Sequence, residues 1–156
     1  MTAVNPASRQ KPAAASPRSS GDMDHPVLRV IPAKCVGCRT CEVACSFAHS
    51  RQGRPGFSRI RIHPAGPKRF VQMTCLQCVN AACVDACPTG ALVRNDATRA
   101  VVLIESLCVG CGACAAACPF GHMHMDTDSR RPIKCDLCGG HPACAAFCPH
   151  GALEWR

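Results

Sequence analysis

The chain has 156 residues, of which 16 are cysteine, with no tyrosine and a single tryptophan. So few aromatic residues leave a thin organic core, and a small cysteine-dense chain of this kind is held together by disulfides or by metal. The formal charge of +8 asks for anions, bound inside or met outside, and no run approaches the ~20 apolar residues of a membrane span.

Residues 1–26 are rich in Pro, Ala and Ser, show no hydrophobic period, and are expected to form a flexible tail carrying Arg9, Lys11 and Arg18. No apolar export signal is visible there, so a reduced, cytoplasmic location is expected, where cysteine tetrads are metal sites and not disulfides. A β-prone run, Val27 to Ile31, leads into the first tetrad, Cys35, Cys38, Cys41 and Cys45, which no proline follows. Residues 51–74 then read as a basic linker, with Arg51, Arg54, Arg59, Arg61, Lys68 and Arg69 and no acidic residue. Within it Ser58 to Ile62 alternates as one strand with Arg59 and Arg61 on its open face. A solvated linker and a docking patch for an acidic partner are equally good readings of it.

The second tetrad, Cys75, Cys78, Cys83 and Cys87, precedes Pro88, and the third, Cys108, Cys111, Cys114 and Cys118, precedes Pro119. Between them Ala91–Val93 and Val101–Ile104 are β-prone runs around an Asn95-Asp96 turn, which reads as a hairpin. Residues 120–130 read as a connector. Its alternation of His122, Met123, His124 and Met125 suits an exposed short strand better than a metal site, because no further ligands cluster nearby. His49, His63, His141 and His150 are assigned to packing or surface. The last tetrad, Cys135, Cys138, Cys144 and Cys148 before Pro149, is followed by a short β-prone tail, Ala152 to Trp155.

The third tetrad has the spacing C-x2-C-x2-C-x3-C-P of a bacterial iron-sulfur run, whose fourth cysteine serves the other cluster of a pair. Three thiolates on a tight loop wrap one face of a cubane. A cysteine three residues further on, with a proline turning the chain away, points at a neighbour instead. Joined by the hairpin, the second and third tetrads exchange fourth ligands: Cys75, Cys78 and Cys83 take Cys118, while Cys108, Cys111 and Cys114 take Cys87. Zinc sites pair two C-x2-C knuckles over a longer loop, so iron-sulfur is preferred to zinc.

An internal repeat extends this to the remaining cysteines. CPTGALVRN after the second tetrad matches CPHGALEWR after the fourth, and VVLIESLCVGCGAC matches VLRVIPAKCVGCRTC around the third and first. The strand trailing the fourth tetrad is therefore expected to pair with the strand leading the first. Nested in this way, Cys35, Cys38 and Cys41 take Cys148, and Cys135, Cys138 and Cys144 take Cys45. The expected fold is α+β, with two ferredoxin-like lobes related by approximate two-fold symmetry: an inner lobe of residues 75–119 and an outer lobe of residues 27–50 with 131–156. Four [4Fe-4S] clusters each of about −2 would offset the formal charge of +8, so the basic residues read as counter-charges and no nucleic-acid surface is expected.

From Cys35 to Trp155 the chain resembles the electron-transfer subunits of the dimethyl sulfoxide reductase small-subunit family and of the hydrogenase and carbon monoxide dehydrogenase ferredoxin-subunit family. The four tetrads, CSFAHS after the first, SRIRI before the second and KCDLC opening the fourth carry the resemblance. Its compactness is similar to that of cytoplasmic members such as the small subunit of bacterial tungsten aldehyde oxidoreductases. The resemblance implies a non-catalytic wire linking a large catalytic subunit, a nickel enzyme or, in preference, one of molybdenum- or tungsten-pterin type, to an electron donor or acceptor, with a flavin subunit as a further candidate partner. No P-loop, no GxGxxG after a strand and no nucleophile constellation argues for chemistry within the chain itself. A freely diffusing polyferredoxin and a redox sensor are the alternatives, and clusters near both ends of the row would also allow copies to associate end to end.

Overall fold

A computed structural model of the chain describes residues 25–156. Of the expected tail, residues 1–26, all but His25 and Pro26 lie outside the described residues. The first half contains β1 (Leu28–Val30), α1 (Thr40–Ala48), β2 (Ile60–Pro64), β3 (Phe70–Thr74), α2 (Ala82–Asp85) and β4 (Leu92–Arg94). The second contains β5 (Val101–Leu103), α3 (Ala113–Ala116), β6 (His124–Met125), β7 (Pro132–Ile133), α4 (Ala143–Ala146) and β8 (Leu153–Trp155). All these strands pair antiparallel in sheets of two.

The β-prone runs beside the tetrads become strands. β4 and β5 form a hairpin with Leu92 opposite Leu103 and Arg94 opposite Val101, and its turn is closed by Asn95, whose Oδ1 accepts from the Thr98 amide at 2.9 Å. β1 pairs with β8 across the length of the chain, Leu28 opposite Trp155 and Val30 opposite Leu153. These are the strand pairs expected from the internal repeat. α1 packs on α4 as α2 packs on α3. Helices of a single turn have no stability of their own, and each of these holds the third cysteine of its tetrad: Cys83 in α2, Cys114 in α3 and Cys144 in α4. Proline after Cys87, Cys118 and Cys148 disfavours helical backbone at the cysteine before it. Cys45 has no such proline, and α1 runs on through it to Ala48.

The segment expected as a basic linker is a hairpin instead. β2 pairs with β3 from Ile60 opposite Thr74 to Pro64 opposite Phe70. Ile60 and Ile62 are buried against Cys41, Cys45, Cys144 and Leu153, which removes enough apolar surface to be worth about 1.5–3 kcal/mol per side chain. Arg61 stays on the open face as expected, but Arg59 does not: its side chain is only 19% exposed and pairs with Asp136 at 2.6 Å. The connector also closes into a hairpin, with His124 opposite Ile133 and Met125 opposite Pro132. Asp126 accepts there from the Asp128 amide and the Ser129 hydroxyl, the Asx turn of the central hairpin repeated.

Three apolar clusters result. One joins β1, α1, β2 and β8; a second joins α2, β4, β5 and Met123. A third, of Ala100, Cys135 and Leu137 with Leu28, Cys75, Val102 and Trp155 against them, ties the two together.

Candidate metal centres

All sixteen cysteines are free thiols. In each tetrad the residue just before the second cysteine has left-handed backbone: Gly37 at φ 74°, Gln77 at 49°, Gly110 at 69° and Leu137 at 56°. That twist turns the loop so that both cysteines of C-x2-C face one side. Glycine adopts it without strain, and at Gly37 a β-carbon would also meet the Phe70 ring. At the other two positions the strain has to be held by neighbours. The Gln77 side chain donates to the Cys135 carbonyl at 2.8 Å and accepts from the Val101 amide at 2.9 Å, and Leu137 is buried.

The fold gathers the thiols by fours. Cys35, Cys38, Cys41 and Cys148 line one hollow; Cys75, Cys78, Cys83 and Cys118 line a second; Cys87, Cys108, Cys111 and Cys114 line a third. Cys45, Cys135, Cys138 and Cys144 are packed more tightly. Burial, followed by the nearby Cys135, Cys45 and Cys138 thiols, pushes Cys144 up to about 12. Burial likewise pushes Cys41 up to about 11, with Cys148 and Cys35 adding to it. Burial raises Cys83, with Cys75 and Cys118 adding to it, and burial raises Cys114, with Cys87 and Cys111 adding to it. Every third cysteine thus has the fourth cysteine of another tetrad beside it. The thiolate is the metal ligand, so a cationic core held in such a cage would be bound with release of the thiol protons.

Polar groups inside the cages suit a core that accepts hydrogen bonds through sulfur. Main-chain amides of Ala91, Ala152 and Arg59 donate at 3.2 Å to the sulfurs of Cys87, Cys148 and Cys45. The first two lie four residues past their cysteines, on the turn after the proline. The third, 14 residues on, comes from Arg59 just ahead of β2, a segment that takes the place of the missing proline turn. Among the described residues, besides nitrogens of Arg59, two buried side-chain groups have no hydrogen-bond partner, and both line hollows: the Gln72 amide the Cys35 hollow and Nδ1 of His122 the Cys75 hollow. Both would be satisfied by sulfur atoms in those hollows. The site residues therefore fit an iron-sulfur core in donor type, grouping and polarity.

Sequence reasoning placed His49 among packing or surface residues, and the structure corrects this. Its Nε2 lies 3.2 Å from Asp136 and its Nδ1 2.9 Å from the Cys45 carbonyl and 3.9 Å from the Cys45 sulfur. The bond to Asp136, then that to Cys45, raises His49 to about 10. Asp136 also holds Arg59 and accepts from the Cys138 amide at 3.0 Å. Although burial opposes it, this pairing with His49 and Arg59 holds the Asp136 carboxyl well below the usual carboxylate range. One carboxylate thus ties α1, β2 and the fourth tetrad around Cys45. The only sequence signal for it is the pairing of KCDLC with a histidine one helical turn after Cys45.

Comparison with known proteins decides which metal core the cages serve. Residues 68–156 match the profile of a 4Fe-4S dicluster domain, and residues 32–48 that of a 4Fe-4S binding domain. The chain belongs to the 4Fe-4S dicluster domain family. Among its relatives, a Pyrococcus furiosus protein named "Aliphatic sulfonate oxidoreductase, polyferredoxin-like subunit" is 44% identical over 110 residues, 70% of this chain and 64% of that one. The thiosulfate reductase electron transfer subunit of Salmonella typhi is 36% identical over 66% of this chain and 57% of its own length. Formate hydrogenlyase subunit 2 of Escherichia coli is 44% identical over 56% of this chain and 41% of its own length. The chain thus spans less than two thirds of each of these relatives. In a solved structure, the BamBC active site complex of benzoyl coenzyme A reductase with benzoyl-CoA, one chain is 25% identical over 84% of this chain and 78% of its own, with a TM-score of 0.46. The sequence resemblance to a 4Fe-4S ferredoxin-type electron-transfer subunit holds at the level of family. Among the described residues no helix is long and apolar enough to cross a membrane.

Proposed function

We propose that this dicluster-domain protein is a cytoplasmic electron-transfer subunit that carries four [4Fe-4S] clusters and serves a large catalytic oxidoreductase subunit, of molybdenum- or tungsten-pterin type. The ligand sets are Cys35, Cys38, Cys41 with Cys148; Cys135, Cys138, Cys144 with Cys45; Cys75, Cys78, Cys83 with Cys118; and Cys108, Cys111, Cys114 with Cys87. They divide between an inner lobe, residues 75–119, and an outer lobe, residues 27–50 with 131–156, of like build and related by approximate two-fold symmetry. The observation that carries this reading is the fourth cysteine of a different tetrad beside every third cysteine, with three of the foursomes each lining one hollow.

Bound in these cages, each cluster supplies a one-electron couple whose potential depends on hydrogen bonds to sulfur and on burial. The chain's own part is to hold the cages in a row and keep water out. Cys41 neighbours Cys144, and Cys75 neighbours Cys135. The two inner-lobe foursomes share one apolar cluster. The row therefore runs from the Cys35 foursome through those of Cys135 and Cys75 to that of Cys108. Its two ends carry the exposed cysteines, Cys38 and Cys111, beside exposed Val36 and Val109, apolar surface suited to docking redox partners at either end. The polyferredoxin-like subunit of an oxidoreductase among the relatives supports the assignment to a larger complex.

Anaerobic preparations should contain about sixteen iron atoms per chain, four per cubane. Changing Cys148 or Cys118 to Ser should each perturb one cluster signal in electron paramagnetic resonance, and different ones. Iron near eight atoms per chain, or the same signal lost in both variants, would refute the ligand sets. Co-purification with a large pterin subunit tests the partner; isolation only as a lone carrier at all stages argues for a diffusing polyferredoxin.

A further inference from the structure

Lys134, directly before Cys135, is the one buried lysine among the described residues, 4% exposed. Its ammonium donates to the main-chain carbonyls of Val101, on β5, and of Cys135, the latter at 2.6 Å. Among the described residues no carboxylate lies within ion-pair distance of it. Carbonyl oxygens offer only partial charge, and a buried ammonium without a counter-ion is strongly unfavourable. Fixed negative charge must therefore lie close by in the working protein.

Its position shows where that charge is. Val101 belongs to the inner hairpin and Cys135 to the fourth tetrad, so the ammonium stands at the seam where Cys75 and Cys135 meet. Burial raises the thiols of both Cys83 and Cys135, and the Lys134 charge opposes that rise at both. Cys83 lines one hollow of the seam and Cys135 belongs to the foursome on its other side.

The chain contains its own control. Lys34 directly precedes Cys35, the first cysteine of its tetrad, as Lys134 directly precedes Cys135. Lys34 is half exposed and pairs with Glu154 at 3.3 Å, so solvent and a carboxylate screen it. A lysine one residue ahead of a tetrad is thus neutralised at the outer end of the row and, among the described residues, has no carboxylate partner in the middle.

Resting on the proposed ligand sets, we infer that Lys134 is a positioning charge shared by the two middle cages, which makes both easier to reduce. A cubane on four thiolates carries about −2 when oxidised and one unit more when reduced. A fixed cation between two such cages favours the more negative state of each, and being buried it is little screened by salt. The electron itself comes from the redox partner, and no proton need move with it.

The test is a potentiometric titration of the holoprotein followed by electron paramagnetic resonance, with iron counted in every sample. K134M and K134Q should each lower two of the four potentials, by tenfold or more in the reduction equilibrium, about 59 mV per tenfold for one electron. K134R should stay close to the parent, and K34M should move no potential by as much. Loss of two clusters in both neutral variants with all four kept in K134R would equally support a charge requirement at the seam. Unchanged potentials in a fully loaded K134M or K134Q, or equal shifts in K34M, would overturn it. Low iron in the parent chain would instead strike at the ligand sets on which the inference rests.

Discussion

Changing Asp136 to Asn keeps the size of the side chain and its capping bond to the Cys138 amide but removes the negative charge. Arg59 and His49, with side chains 19% and 13% exposed, lose their shared counter-ion. Breaking a fully buried pair from one side costs about 3–5 kcal/mol. Asp136 is itself 35% exposed, so solvent screens part of this, and about 2 kcal/mol is the reasonable expectation. Since 1.36 kcal/mol is tenfold in rate, the brown chromophore of the loaded protein should bleach about 30-fold faster in anaerobic urea. The same change made in a chain already carrying Arg59→Met should cost far less, because one of the two stranded cations is gone. Bleaching accelerated less than threefold, or equally in both backgrounds, would show that the carboxylate does not serve as the tie between α1, β2 and the fourth tetrad.

Ile60→Ala empties one of the most fully buried sites, 1% exposed, and should destabilise by about 2–5 kcal/mol, read as a lower urea midpoint for bleaching. Gly110→Ala forces a β-carbon to 2.8 Å from the Arg130 carbonyl at φ +69°, whereas Gly53→Ala at φ +74° meets nothing within 4 Å. The first should disturb the Cys108 cluster signal, while the second should cost only the ~1 kcal/mol of a left-handed alanine and leave all cluster signals in place. Deleting residues 151–156 removes β8 and strips β1 of its partner; iron should fall toward half, with the surviving signals those of the inner lobe.

The strands beside the tetrads were legible because β-branched runs there meet no competing signal: Val27–Ile31 contains β1 and Val101–Ile104 contains β5. Their pairing was legible because the chain repeats itself around the cysteines. β3 was not, since its core-facing positions are Gln72 and Thr74 while Val71 faces outward, which inverts the apolar alternation that marks a half-buried strand. β6 and β7 have two residues each and exist through their turn, so no periodicity could announce them. Alternation did place Ile60 and Ile62 inside, yet the opposite face at Arg59 is covered by Asp136, a neighbour 77 positions away by residue number. The left-handed residues of the C-x2-C loops were visible only where they are glycine. Gln77 and Leu137 take the same backbone through contacts made by distant parts of the fold.

The pairing of β1 with β8 also bears on how such a protein is made. On the proposed ligand sets the inner cages draw only on residues 75–118, so they would be able to close while translation is still under way. Lys34 and Glu154 meet across 120 positions, and on the same sets Cys35, Cys38 and Cys41 leave the ribosome long before Cys148 exists to join them, as Cys45 does before Cys135, Cys138 and Cys144. Those early thiols would stand open to oxygen and stray zinc for most of synthesis, so the expected order of assembly runs from the middle of the row outward, with the most vulnerable ligands the first ones made.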